Sequence, residues 1–201
     1  MKRRLIAIVL AATILVQCAS GYKAIDPKTV QYIAKEETDD FSFEYRYDVL
    51  AYRDNRKYSK KEKKRAFNIV AIKVKNKTER TLNFTQHIDI FTDRSGVFPM
   101  DDTMARKSIR QNVPIYLLYG LIVLYVSNCS GTDCDTHVYP IGLAIAAINM
   151  IIAGTANSKM KDEFKEYSVQ NREIKPGETI YAIVAIPDYG FSPLHLKLRE
   201  N

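Results

Sequence analysis

The chain has 201 residues, of which 46% are hydrophobic and 26% are charged, a composition typical of one globular domain with a substantial core. Its formal net charge is +7, but Lys2, Arg3 and Arg4 lie at the extreme N-terminus, and losing them with a leader would leave a mild +4. Because the sequence also lacks a nucleic-acid-binding motif, we expect no nucleic-acid partner.

The N-terminus predicts an exported protein. A basic start precedes an uninterrupted apolar run from Leu5 to Val16, which is the layout of a secretory signal peptide and is short for a membrane span. The next stretch, "LVQC", resembles the lipobox of bacterial lipoproteins, in which the cysteine is acylated, although Gln17 stands where a small residue is usual. We therefore expect residues 1–17 to be a signal peptide and Cys18 to carry lipid. An ordinary secretory signal or an uncleaved anchor is the alternative.

The residues after Cys18 bear on location. Ala19, Ser20 and Gly21 include no acidic side chain, and resemblance to sorted lipoproteins then implies an outer membrane lipoprotein that faces the periplasm. The inner membrane and the cell surface are the alternatives. Acyl chains would hold the protein on the bilayer, each buried methylene contributing about 0.8 kcal/mol.

Residues 18–40 are expected to form the lipid anchor and then a tether or a short helix. Asp26 is a suitable helix cap and Pro27 a suitable first helical residue. A short apolar stripe follows and ends before the acidic run that closes at Asp40. A solvated linker is the alternative.

From Phe41 onward the hydrophobic pattern changes to the two-residue period of β-strands. Strands are predicted in Phe41–Val49, Ala66–Asn76, Arg80–Thr92, Glu166–Ile174, Thr179–Pro187 and Pro193–Glu200, and the second of these is apolar on both faces. Turns are predicted at "NKTE" and at "KPGE", where Pro176 and Gly177 suit the central positions of a type II turn.

These strands predict a mainly β fold, an immunoglobulin-like antiparallel β-sandwich. The "VKNKT" and "IKPGE" turns resemble those of many bacterial envelope sandwich domains without identifying one family. Because strands lie on both sides of the middle segment, we expect a single domain over 41–201 that is interrupted by an insertion at 103–164.

The insertion contains two segments without Asp, Glu, Lys or Arg, at 111–132 and 136–158, each roughly the 20 residues that a helix needs to cross hydrocarbon. Pro114 and Pro140 suit helix starts. We therefore expect a hydrophobic αα-hairpin over about 112–158. It could insert in a membrane, pack on the sandwich or associate with a second copy.

Basic residues flank this insertion on both sides, at Arg106, Lys107, Arg110, Lys159 and Lys161. If the sandwich is exported, a hairpin in the inner membrane would place these cations on the outer side and the acidic tip inside. This arrangement contradicts the positive-inside rule. Insertion in an outer membrane avoids the conflict.

The tip of the insertion, "CSGTDCD", carries Cys129 and Cys134. An exported compartment is oxidising, so we expect a disulfide between these cysteines rather than two thiols. A zinc site that adds His137, Asp133 and Asp135 is the less favoured alternative, because the spacing is not that of a paired zinc knuckle. We expect no metal and no cofactor.

Nothing in the sequence predicts catalysis. His87, His137 and His195 are far apart, and no nucleophile or carboxylate motif accompanies them. A basic run at Arg56–Arg65 is a candidate contact for anionic lipid, lipopolysaccharide or an acidic protein, or else a solvated connection between strands.

We therefore expect a lipid-anchored cell-envelope protein that acts as a non-enzymatic binding or structural module. Its partners would be the membrane, through the N-terminal lipid and the hairpin, and an envelope protein or a second copy. The alternative is a membrane-inserting or membrane-active protein whose hairpin, about 112–158, is the working part.

Overall fold

A computed structural model describes residues 18–92, 96–130, 133–187 and 190–199. The predicted signal peptide, residues 1–17, lies outside the described residues. The chain divides into two compact units. We call Met1–Gly21 with Gln111–Asn157 the apolar unit, and Tyr22–Arg110 with Ser158–Asn201 the sheet unit. The division points in the middle of the chain fall inside the predicted insertion, 103–164.

The described strands are, in chain order, β1 Ala34–Glu37, β2 Phe41–Arg46, β3 Asn68–Asn76, β4 Leu82–Asn83, β5 Ile88–Thr92, β6 Gly96–Val97, β7 Leu124–Ser130, β8 Asp133–Tyr139, β9 Glu173–Ile174, β10 Thr179–Ile186 and β11 Leu194–Leu198. The described α-helices are α1 Val49–Tyr52, α2 Arg56–Lys64, α3 Phe84–His87, α4 Asp102–Ile109 and α5 Ile141–Glu166. Two 3-10 helices, η1 and η2, cover Pro27–Thr29 and Val113–Leu121.

Within the described residues, the sheet unit contains three antiparallel sheets, with strand orders β1-β2-β3-β10, β11-β5-β6 and β4-β9. Strand β3 lies between β2 and β10, and residues 68–72 are all buried, as its two apolar faces predict. In β2 the buried and half-buried side chains alternate, so one face of this strand points into the core.

One hydrophobic core takes side chains from both larger sheets, among them Phe43 of β2, Ile72 of β3, Ile90 of β5 and Leu196 of β11. Two tyrosines add hydrogen bonds. The Leu194 backbone N–H donates to the Tyr45 hydroxyl at 3.0 Å, and the Tyr47 hydroxyl donates to the Ser192 carbonyl at 2.8 Å.

Antiparallel sheets are confirmed, but helix α3 interrupts the predicted strand Arg80–Thr92, and only Glu173–Ile174 of the predicted strand Glu166–Ile174 is a strand. The prediction of a mainly β protein therefore holds only in part. Helix and strand take similar shares of the described chain, so the fold is mixed. The basic run that the sequence indicated as a connection between strands is helix α2, with Tyr58, Ser59 and Glu62 buried. Their spacing places them on one helix face, and the surrounding lysines occupy the others.

The segment between Tyr22 and Asp40, predicted as a tether or a short helix, belongs to the sheet unit and contains η1. Tyr22, Ile25 and Val30 are buried, and β1 adds an edge strand to β2. Asp26 precedes η1 with a φ of 42°, and its side chain does not cap that helix. Instead, its carboxylate accepts a hydrogen bond from the Tyr167 hydroxyl.

The apolar unit corrects the predicted αα-hairpin. Its second arm is helical, in α5, but its first arm is η2 followed by β7, and β7 pairs in register with β8. The β-branched and aromatic residues in "LIVLYVSNCS" favour a strand. A charge-free apolar run does not by itself distinguish helix from strand, which is why the helix prediction is wrong here.

Helix α5 packs closely on the end of η2 through a small residue. The Gly142 N–H donates to the Ile122 carbonyl at 2.9 Å. A Cβ atom at Gly142 would collide with the backbone of Tyr119 and Ile122, so only glycine allows this approach. The buried face of α5 continues through Ala146 and Ala153.

Candidate functional site

The tip disulfide closes the β7–β8 hairpin. Cys129 and Cys134 are cross-strand partners, with Sγ atoms 2.01 Å apart and Cα atoms 4.1 Å apart. Beside them, the hydroxyls of Ser127 and Thr136 lie 2.8 Å apart. The part of the chain that the structure describes brings together no group of three or more His, Cys, Asp or Glu side chains that could hold a metal ion.

The backbone directly after Cys18 is held by buried amide side chains of the apolar unit. The Ala19 N–H donates to Asn149 Oδ1 at 2.6 Å. The Ser20 N–H donates to Gln111 Oε1 at 3.1 Å, and Gln111 Nε2 donates to the Ser20 carbonyl at 2.6 Å. Both amides are almost fully buried, at 4% exposure for Gln111 and 5% for Asn149. We call these two side chains the Cys18 clamp.

Further hydrogen bonds fix the clamp itself. The Gln111 N–H donates to Asn157 Oδ1 at 2.9 Å, and Asn157 Nδ2 donates back to the Gln111 carbonyl at 2.8 Å. The Tyr116 hydroxyl donates to Gln111 Oε1 at 3.0 Å. Because a buried polar group without a partner costs about 1–3 kcal/mol, this network fixes where the chain after Cys18 can lie.

Sequence reasoning missed the clamp. The available signal was the presence of Gln111 and Asn149 inside charge-free apolar segments, where an amide must find a hydrogen-bond partner. Their partners are up to 130 positions away along the chain, and sequence spacing does not reveal such contacts.

Most large hydrophobic side chains that are exposed in the described chain belong to the apolar unit. We call them the apolar surface: Ile115, Leu117, Leu118, Leu121, Val123, Leu124, Tyr125, Val126, Val138, Tyr139, Ile141, Leu143, Ile148, Ile151 and Ile152. No Asp, Glu, Lys or Arg occurs in 111–132 or 136–158. Large exposed apolar patches are rare on soluble monomers and typically mark a contact with a membrane or a protein.

Helix α5 is the one described helix whose length and composition would allow it to cross a membrane. Only 28% of its most apolar 18-residue stretch is buried, whereas the core helix of a soluble protein is mostly buried. Its charge-free part ends at Ser158 and is about 27 Å long at 1.5 Å per residue, close to the hydrocarbon thickness of about 30 Å.

The other arm of the apolar unit does not suit a membrane crossing. Helix η2 has nine residues and is about 18 Å long. Strands β7 and β8 pair only with each other among the described residues, so their outer edges carry open backbone groups. Such edges are not tolerated in hydrocarbon. The geometry therefore suits insertion of apolar side chains near the bilayer surface.

The three histidines take separate structural positions. His195 Nδ1 lies 2.8 Å from Glu36 Oε1, and the ring stacks on Phe91. His87 Nδ1 accepts from the Asn83 N–H at 2.8 Å. His137 lies in β8, against Tyr139. The structure places none of them beside another histidine.

The sheet unit has a cavity of about 290 Å³ beside β6. Val97, Phe98 and Met100 line it, together with polar residues that include the ion-paired Arg199 and Asp89. Its lining combines apolar side chains with polar and charged ones, as ligand pockets often do.

Comparisons of the chain with protein-family models, with curated proteins and with solved structures find no match. The chain's own residues therefore carry the functional inference.

Proposed function

We propose that this chain is a lipid-anchored protein of the bacterial cell envelope, acylated at Cys18 and located on the outer membrane facing the periplasm. It acts as a non-enzymatic binding or structural module. The observation that carries this proposal is that Ala19 and Ser20 are clamped within the same unit that exposes the apolar surface.

The clamp supports a joint role for the lipid and the apolar surface. An acyl chain on Cys18 would start next to the Ala19 backbone, which Asn149 of α5 holds. The acyl chains of a lipoprotein anchor already hold it on a membrane, and apolar side chains beside the anchor add a further contribution. The exposed leucines and isoleucines of the apolar surface supply this contribution. The open edges of β7 and β8 favour shallow insertion over a complete crossing.

The sheet unit supplies the binding or structural module in this proposal. We infer that its two larger sheets are the layers of an immunoglobulin-like β-sandwich, because both contribute side chains to one core. The cavity lined by Phe98 offers one surface for an envelope component.

The second candidate function is a membrane-active protein whose working part is the apolar unit. The exposure of Leu143, Ile148 and Ile151 on α5 favours it, because these side chains would disturb lipid packing as they insert. The two candidates share the membrane contact and differ in whether the bilayer is changed by it.

Intact mass of the envelope-purified protein tests the anchor. We expect a mature chain that begins at Cys18 and carries acyl mass, and we expect Cys18→Ser to abolish that mass. An unacylated chain that starts at Tyr22 or elsewhere would rule out lipidation.

A chain without residues 1–17 and with Cys18→Ser tests the apolar surface separately. We expect it to require detergent and to bind vesicles, whereas soluble and monodisperse behaviour would contradict the membrane contact. Leu143→Ser with Ile151→Ser should reduce the binding, and the matched control changes the exposed Ile33 to Ser in the sheet unit. Release of a trapped dye from the vesicles would favour the membrane-active candidate.

A further inference from the structure

The sheet unit carries a group of cations contributed by α2 and the end of α4. Lys61 lies on α2, and its ammonium donates a hydrogen bond to the Arg110 carbonyl, directly after α4. Arg65 follows at the end of α2. Burial, and then the charges of Arg65, Lys57 and Arg110, lower the pKa of Lys61. We call these four residues the basic cluster.

Other cations of α2 are placed differently. Arg56 pairs with Asp54 at 2.8 Å, and Lys63 lies 3.9 Å from Asp48. In the basic cluster, by contrast, Lys57, Lys61 and Arg65 are spaced four residues apart and so share one face of α2. The Lys61 ammonium also reaches the Arg110 backbone. Bringing cations together is unfavourable, and an anion that binds among them relieves the repulsion. The cluster is therefore electrostatically complementary to phosphate.

The position of the cluster along the chain indicates which anion it meets. Arg110 directly precedes the charge-free segment 111–132, and Lys159 directly follows the charge-free segment 136–158. Arg110 is three residues from Val113, the first residue of η2, a separation of at most about 11 Å. The chain therefore keeps Arg110 close to the start of an apolar segment, and lipid phosphates are the anions found where such a segment enters a bilayer.

We infer that the basic cluster binds the phosphate groups of anionic lipids in the membrane that the apolar unit enters. This inference rests on the proposed membrane contact and adds lipid selectivity to it. Arg65 offers a guanidinium fork for two phosphate oxygens, and Lys61, about one helical turn earlier on α2, offers a compact ammonium.

Vesicle binding tests the inference on the chain without residues 1–17 and with Cys18→Ser. The probes are vesicles of phosphatidylcholine and vesicles that also contain phosphatidylglycerol. Each cation near an anionic surface strengthens binding about 5-fold, so Lys61→Gln with Arg65→Gln should weaken binding to the anionic vesicles by roughly 25-fold. Binding to phosphatidylcholine should stay unchanged. The control, Arg56→Gln with Lys63→Gln, removes the same charge from acid-paired positions and should have a much smaller effect.

The outcomes separate the two proposals. If the chain without further substitutions does not bind phosphatidylcholine vesicles, the proposed membrane contact is contradicted. If phosphatidylcholine binding persists but the two double variants lose equal affinity for anionic vesicles, net charge alone acts and the inference is overturned. The charge-preserving double variant, Lys61→Arg with Arg65→Lys, should bind the anionic vesicles about as tightly as the chain without these substitutions.

A second measurement needs no variant. Acylation of lysine side chains, read by peptide mass spectrometry, should show that phosphatidylglycerol protects Lys61 more than it protects the exposed Lys75. Phosphatidylcholine should not produce this difference. Equal protection of both lysines by phosphatidylglycerol would overturn the inference even if the double variants failed to fold.

Discussion

Replacing Glu62 with glutamine should stabilise the sheet unit at neutral and alkaline pH and leave its stability nearly unchanged in mild acid. Glu62 lies on α2 and is only 1% exposed. Burial, aided by the nearby charge of Asp48, raises the pKa of its carboxyl to about 8, although the Ile69 N–H donates a hydrogen bond to Oε1. Oε2 has no hydrogen-bond partner among the described residues.

The magnitude follows from proton linkage. The ordinary pKa of this carboxyl is 4.5, so in the unfolded chain it ionises above that pH while the folded protein keeps it protonated. Between pH 4.5 and 8, each unit of increase in pH then lowers the free energy of unfolding by about 1.4 kcal/mol. The stability is fully present below pH 4.5, is about 3 kcal/mol lower by pH 7, and levels off above the folded pKa of about 8.

Glutamine has the same shape, does not titrate and keeps an oxygen for the Ile69 N–H. Its Nε2 replaces Oε2, so both the variant and the protonated wild type bury one unpartnered polar group, and these costs nearly cancel. The expected gain at neutral pH is therefore about 3 kcal/mol.

Urea unfolding followed by circular dichroism and tyrosine fluorescence measures this, since the chain has 13 Tyr and no Trp. The control is Glu79→Gln, an exposed position after β3, which should change stability by less than about 0.5 kcal/mol. Equal pH slopes for wild type and Glu62→Gln, or a less stable variant at alkaline pH, would refute the reasoning.

Three further outcomes are expected. Gln111→Ala leaves the Ser20 N–H and carbonyl without their partner and should destabilise the apolar unit by about 1–3 kcal/mol, seen as faster hydrogen exchange at Ser20 with little change in β3. Nonreducing peptide mapping should recover Cys129 linked to Cys134, a result that free alkylation of both thiols would contradict. Tyr45→Phe should cost about 1–3 kcal/mol in urea unfolding, because the buried Leu194 N–H loses its acceptor. If Tyr45→Phe leaves the free energy of unfolding unchanged, water replaces the hydroxyl as the acceptor.

The strands of the sheet unit could be predicted because their buried side chains recur every second residue. This pattern identifies β2, and it also identifies β3 as central, since burial on both faces produces a continuous apolar run. Helix α2 escaped prediction because its buried face contains a serine and a glutamate. Burying such side chains is normally unfavourable, so a hydrophobic pattern does not detect the face.

The apolar unit was harder to predict because its residues do not alternate with charge. The absence of charge set the limits of the segment at Gln111 and Ser158 but gave no period that distinguishes η2 and β7 from a helix. The cross-strand cysteines were the better local guide, since directly paired β residues lie close enough for a disulfide. The contacts of Asn149 and Glu62 depend on distant parts of the chain and on tertiary burial.

The burial of Tyr22 limits the reach of any lipid-anchored form of this protein. Only Ala19, Ser20 and Gly21 separate Cys18 from Tyr22, which is buried and donates a hydrogen bond to Glu163. A fully extended chain covers at most about 14 Å between Cys18 and Tyr22. A lipoprotein with a long flexible linker can move widely around its anchor. A lipid on Cys18 would leave a linker of only these three residues, which is too short for such movement. If Cys18 is acylated as proposed, a partner that is fixed away from that membrane would have to reach the protein at the membrane surface.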